Sequence, residues 1–157
     1  MIEWPILSVL IFLPLVGALF ILLVRGEEQI ATANIRAVAL WASLITFSIS
    51  LLLWLKFDRT TADFQFTEHR EWISEFGMSY SLGIDGISLL FVVLTTFLTL
   101  ICILASWESI VIRVKEYMIA FLVMETMMIG VFCALDIFLF YIFFEGLLIP
   151  MFLVIGI

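Results

Sequence analysis

Apolar residues run in five long blocks along this chain, with short polar breaks between them and one longer polar stretch. The blocks cover residues 6–24, 37–55, 84–107, 117–135 and 137–157. Each is close to the roughly 20 apolar residues that a helix needs to cross a hydrocarbon core. They are continuous, without the strict alternation of a transmembrane barrel, the other closed solution in lipid. The pattern therefore predicts an all-α membrane protein with five transmembrane helices in one membrane domain over residues 1–157. The fifth block stops at Ile157 with no closing charge, interfacial aromatic or turn. That ending predicts a natural chain longer than these residues.

The polar stretch, residues 56–83, carries two short period-two runs. Phe64 and Phe66 alternate with Asp63, Gln65 and Thr67, and Met78, Tyr80 and Leu82 alternate with Ser79 and Ser81. Such runs predict two short strands, paired as a hairpin on the outer membrane surface. The segment between them, with His69, Arg70 and Glu71, reads as a solvated turn or short helix. His69 is the only histidine and has no cysteine nearby, so it is a poor metal ligand.

Charge sets the expected orientation. Arg25 and Arg36 fall in the first loop, and Arg113 and Lys115 in the third. The positive-inside rule places both loops in the cytoplasm and the amino terminus outside. Lys56, Arg59 and Arg70 in the second loop are diluted by acids and weaken that signal. Trp4, Trp54 and Trp107 sit at block ends, the level indoles prefer. The first block follows Glu3, lacks a basic leader and is long enough to span, so it reads as retained.

Composition sharpens the class. Of 157 residues, 65% are hydrophobic, against roughly 45–50% in soluble domains. The net charge is −7 and no basic patch is present, which argues against nucleic acid as a partner. Cys102 and Cys133 lie in different blocks, near opposite membrane faces if the helices are antiparallel neighbours, and so read as small apolar residues. No nucleophile–base pair, phosphate loop or haem site is evident, so no redox centre is expected in the chain.

Two carboxyls lie deep. Glu145 is nine residues past Asp136, or about 14 Å into a core about 30 Å thick. Glu125 reaches a similar depth from the other side. An ionisable residue there costs about 2.5–3.5 kcal/mol on insertion scales and usually faces a bundle interior or a hydrated path. A carboxyl whose surroundings change can take up and release a proton, as a relay requires. The plain alternative is a protonated carboxyl that joins two helices by hydrogen bonds. Glu125 is flanked by Met124, Thr126, Met127 and Met128, which offer no matching polar design. Tyr141 shares a helical face with Glu145, where its hydroxyl either donates to the carboxyl or packs. Pro150 leaves the Gly146 carbonyl without its helical donor. Ser88, Thr95, Thr99, Cys102 and Ser106 share a face of the third block, read as close helix packing or as a polar path. No lysine or arginine falls within any of the five blocks.

Two stretches carry a family resemblance. Leu82-Gly83-Ile84-Asp85-Gly86-Ile87-Ser88-Leu89, and Phe140-Tyr141-Ile142-Phe143-Phe144-Glu145 with Leu148-Ile149-Pro150-Met151, resemble the chain M family of bacterial NADH–quinone oxidoreductase, respiratory complex I. The mitochondrial counterpart is its subunit 4, and relatives include large subunits of multi-subunit sodium–proton antiporters. The resemblance implies an antiporter-like bundle of about fourteen helices, of which this chain is the amino-terminal part. It implies proton translocation coupled to quinone reduction elsewhere in the complex. It implies that Glu145 pairs with a lysine of a later helix, and leaves Asp136 at the outer end of the path. It assigns nothing to Glu125. NADH, FMN, iron–sulfur clusters and quinone would be bound by other subunits, and the partners would be other membrane-arm subunits and the lipid bilayer. The location would be a bacterial inner membrane, or the mitochondrial one if organellar, with the amino terminus periplasmic in the bacterial case. A sodium–proton antiporter subunit and a structural membrane scaffold are the competing readings.

Overall fold

Continuous apolar sequence becomes continuous helix wherever backbone groups must be satisfied without water. The computed structural model describes residues 5–57, 60, 63–73, 75, 78–109 and 113–156. Trp4 and Arg59 lie outside the described residues. The helices are α1 (Ile6–Leu23), α2 (Glu28–Lys56), α3 (Gly86–Ser109), α4 (Val114–Cys133) and α5 (Ile137–Gly156). All five are long and apolar enough to cross a membrane. Between α2 and α3 lies an antiparallel hairpin of β1 (Gln65–Ile73) and β2 (Met78–Ile84).

Two expectations need correction. The second span was expected to begin at residue 37, but α2 begins at Glu28. Hydrophobicity marks where a helix meets lipid, and the polar first turns of α2 are helical without being apolar. Arg36 is therefore inside α2 rather than in a loop, with its guanidinium 6.0 Å from the Trp107 ring centre at the end of α3. Residues His69, Arg70 and Glu71 are not a turn. They belong to β1, opposite Ser81, Tyr80 and Ser79. Cross-strand pairing overrides their local polarity. The register breaks between Gln65 and Glu68, where Phe66 takes a φ of 56°.

Helix α4 is the hub and packs against α1, α2, α3 and α5. Half of its apolar window is buried, against 17% for α5, which packs on α4 and touches β2. The α4–α5 contact is close because Gly130 leaves room for a ring: a Cβ there would lie 2.5 Å from Phe143. Gly17 does the same between α1 and α2, where a Cβ would meet Ala42 at 2.6 Å.

The hairpin is fastened at one end of the bundle. Ser8 donates its backbone N–H to Glu68 (3.0 Å), and its hydroxyl bonds the Tyr80 hydroxyl (2.7 Å). Leu135 N–H bonds the Ser81 carbonyl (2.9 Å). Burial pushes the Tyr80 phenol above its ordinary value. At the opposite end Lys115 donates to the carbonyls of Leu22 and Val24, both at 3.3 Å. These are end carbonyls of α1, where a cation is favoured.

Candidate functional site: two mid-span carboxyls

Helix α4 runs toward the hairpin and α5 runs away from it. Glu125 lies eight residues before Cys133, the last residue of α4, and Glu145 eight residues after Ile137, the first of α5. At about 1.5 Å per residue both stand about 12 Å from the turn that joins the helices. The two carboxyls therefore share one membrane depth.

Their surroundings differ. Helix α5 buries Leu139, Phe143 and Pro150 on its α4 side. Glu145 falls on the opposite side and is exposed in the five-helix unit. Tyr141 shares that side and is 60% exposed. Helical spacing brings the pair to one face, as expected, yet neither has a hydrogen-bond or ion partner among the described residues. Pro150 is accommodated without ending the helix, which continues to Gly156.

Glu125 is 1% exposed, and both of its carboxyl oxygens lack a hydrogen-bond partner. It lines a cavity of about 280 Å³ between α3 and α4, together with Thr95, Thr99 and Cys102. The shared face expected on α3 thus exists, and part of it meets Glu125. Ser106 instead bonds the Tyr117 hydroxyl (2.9 Å).

Asp136 sits in the α4–α5 turn and caps α5. It accepts from the N–H of Phe138 (2.8 Å) and Leu139 (3.4 Å). The Ser79 hydroxyl (2.9 Å) and N–H (3.2 Å) bind its other oxygen, so the same carboxyl ties the hairpin to α5. Partial desolvation opposes ionisation of Asp136. The hydrogen bonds from Ser79, Phe138 and Leu139 outweigh it and hold the carboxyl below its ordinary value. Asp85 plays the matching part at α3, accepting from Ser88 N–H (2.9 Å), and that bond first of all lowers its pKa. The aspartate of the Asp85-Gly86 motif is thus a helix cap.

Sequence reasoning missed a polar stripe on α2. Ser43, Thr46 and Ser50 are all fully buried. Ser50 bonds Thr96 of α3 at 2.9 Å. Their spacing of three and four residues was the available signal. Cys102 and Cys133 are free thiols. No group of three or more metal-ligating side chains occurs among the described residues.

Five apolar helices with carboxyls at mid-span define a multi-pass membrane protein, and its fold is shared with chains of respiratory membrane complexes. Superposition on a chain of respiratory complex I from Thermus thermophilus gives a TM-score of 0.71 at 24% identity, over 92% of this chain and 27% of that one. A chain of an archaeal membrane-bound sulfane sulfur reductase gives 0.74 at 19%, over 94% and 22%. No family model matches. In sequence the chain is similar to NADH-quinone oxidoreductase subunit M of Rhodobacter capsulatus, 54% identical over 97% of this chain and 29% of that protein. It is similar to NADH-ubiquinone oxidoreductase chain 4 of Marchantia polymorpha, 50% identical over 96% of this chain and 30% of that protein. The resemblance to chain M read from the two motifs thus holds across nearly the whole chain, which spans about 30% of the length of these relatives.

Proposed function

We propose that this chain forms part of a proton-translocating membrane-arm subunit of NADH–quinone oxidoreductase, with Glu145 as a proton-transfer group. The observation that carries the proposal is the 54% identity to a subunit M, running through the helix that holds Glu145. The geometry supports it. A carboxyl about 12 Å into α5, on a side left open by the other four helices, is placed to meet groups that these helices do not supply. In this reading a further helix brings a cation to that side, and its approach and withdrawal shift the proton on Glu145. Tyr141, one turn away, orients the carboxyl or packs beside it. NADH oxidation, FMN, iron–sulfur clusters and quinone belong to other subunits, and the chain assembles with other membrane-arm subunits. Arg25, Arg113 and Lys115 gather at the end away from the hairpin, which supports reading that end as cytoplasmic and the hairpin as outside. Asp136 then stands at the outer mouth of the path.

The test is Glu145→Gln in the full-length subunit. The complex should assemble and oxidise NADH with artificial acceptors, while proton pumping falls sharply. Pumping at the unmodified level would reject the proposal, and sodium transport without NADH oxidation would favour an antiporter.

A further inference from the structure

The carboxyl that the proposed mechanism leaves unused is Glu125. Buried polar groups are almost always hydrogen-bonded, and one that is not calls for an explanation. A carboxyl that merely joined two helices would be bonded to the second helix. Glu125 is 1% exposed and makes no hydrogen bond of full geometry; the Thr99 hydroxyl of α3 reaches toward it without completing one. The nearby hydroxyls are already committed. Thr95 donates to the Phe91 carbonyl (2.7 Å) and Thr99 to the Thr95 carbonyl (2.9 Å). Their oxygens keep lone pairs, so what they offer Glu125 is acceptors. An ionised carboxyl beside them finds at most a share of the Thr99 hydroxyl. A protonated one has an O–H to give.

Among the described residues, the other packed elements bring no counter-charge to Glu125. Helix α1 has no ionisable residue along Ile6–Leu23. On α2, Arg36 lies over Trp107 at the far end of α3. Glu145 is on the side of α5 away from α4. The cavity between α3 and α4 holds about 280 Å³; apolar side chains such as Phe91, Leu98, Phe121 and Met128 form most of its lining, and Thr95, Thr99 and Glu125 are its polar groups.

We propose that Glu125 is a second proton-binding site, at the level of Glu145 and on the other side of the α4–α5 pair, loaded through the cleft between α3 and α4. Water delivers the ligand: a hydronium gives its proton to a carboxylate oxygen, an O–H bond forms and water remains. The role in transport rests on the proposed pumping function; the existence of the site does not.

The experiment uses the full-length protein in native membranes, treated with dicyclohexylcarbodiimide. This apolar reagent takes the proton of a carboxyl onto one nitrogen while a carboxylate oxygen bonds its central carbon. The adduct rearranges to a stable N-acylurea that peptide mass spectrometry locates. Glu125 should be labelled, less so as pH rises, and should resist a water-soluble carbodiimide. An unlabelled Glu125 would overturn the site. In parallel, Glu125→Gln should lower coupled pumping, by less than the roughly hundredfold that removing a proton-transfer group costs. Pumping at the unmodified level in Glu125→Gln, together with loss in Glu145→Gln, would remove Glu125 from transport and leave the proposed function standing. Normal pumping in Glu145→Gln would sink that function, while the labelling still decides the site.

Discussion

Glu125 and Glu145 are the same residue type at the same depth, on adjacent helices, and they face opposite worlds. Glu125 is enclosed by α3 and α4, and its carboxyl oxygens make no hydrogen bond of full geometry. Glu145 stands on the open side of α5, with no hydrogen-bond or ion partner among the described residues. Depth alone therefore does not define a site. What stands beside each carboxyl matters as much, and in the proposed function a further helix would stand beside Glu145.

Several changes would break or sharpen this contrast. The largest effect is expected for Glu145→Gln. Loss of about a hundredfold in pumping rate is the low end for removing a proton-transfer group, measured as acidification of inverted vesicles against NADH oxidation. Next is Gly130→Leu. A side chain there drives into Phe143, and overpacking of this kind costs about 1–3 kcal/mol. It should lower the thermal midpoint of the assembled protein and disturb the alignment of the two carboxyls. A smaller effect is expected for Ser50→Ala, which removes the bond to Thr96. Interhelical hydrogen bonds in membranes average about 0.6 kcal/mol, readable as a slight shift of the same midpoint.

The smallest effect at neutral pH comes from the hairpin. Asp136 and Asp85 both have folded-state values below the ordinary 3.8. Their contribution is complete above that value and is lost as pH falls through the lowered ones. Protection factors of the Ser79, Phe138 and Ser88 amides, which correct for slower intrinsic exchange in acid, should therefore hold at neutral pH and fall only below about 3.8. Asp136→Asn should weaken the Ser79 bonds without touching α4. Unchanged exchange at Ser79 would show that the hairpin is held by Leu135 and Ser8 alone.

How much of this was legible beforehand follows from the physics. The five helices were readable because lipid demands long apolar runs. The start of α2 was not, because Gln29, Thr32 and Asn34 are helical outside the apolar zone. The strands were readable where Tyr80 and Leu82 alternate with serines. The extension of β1 through His69 was not, since its partner Ser81 is twelve residues away. Glu145 and Tyr141 were placed on a common face by spacing alone. The setting of Glu125 was hidden, because its local neighbours are methionines and the hydroxyls beside it come from α3. The cap made by Asp136 likewise depends on Ser79, 57 residues earlier.

The most direct measurement is redox-triggered infrared difference spectroscopy on the assembled full-length protein. If Glu145 exchanges a proton during turnover, a protonated-carboxyl carbonyl band should appear and disappear with the redox state, and Glu145→Gln should abolish it. A difference spectrum identical with and without Glu145 would contradict the account.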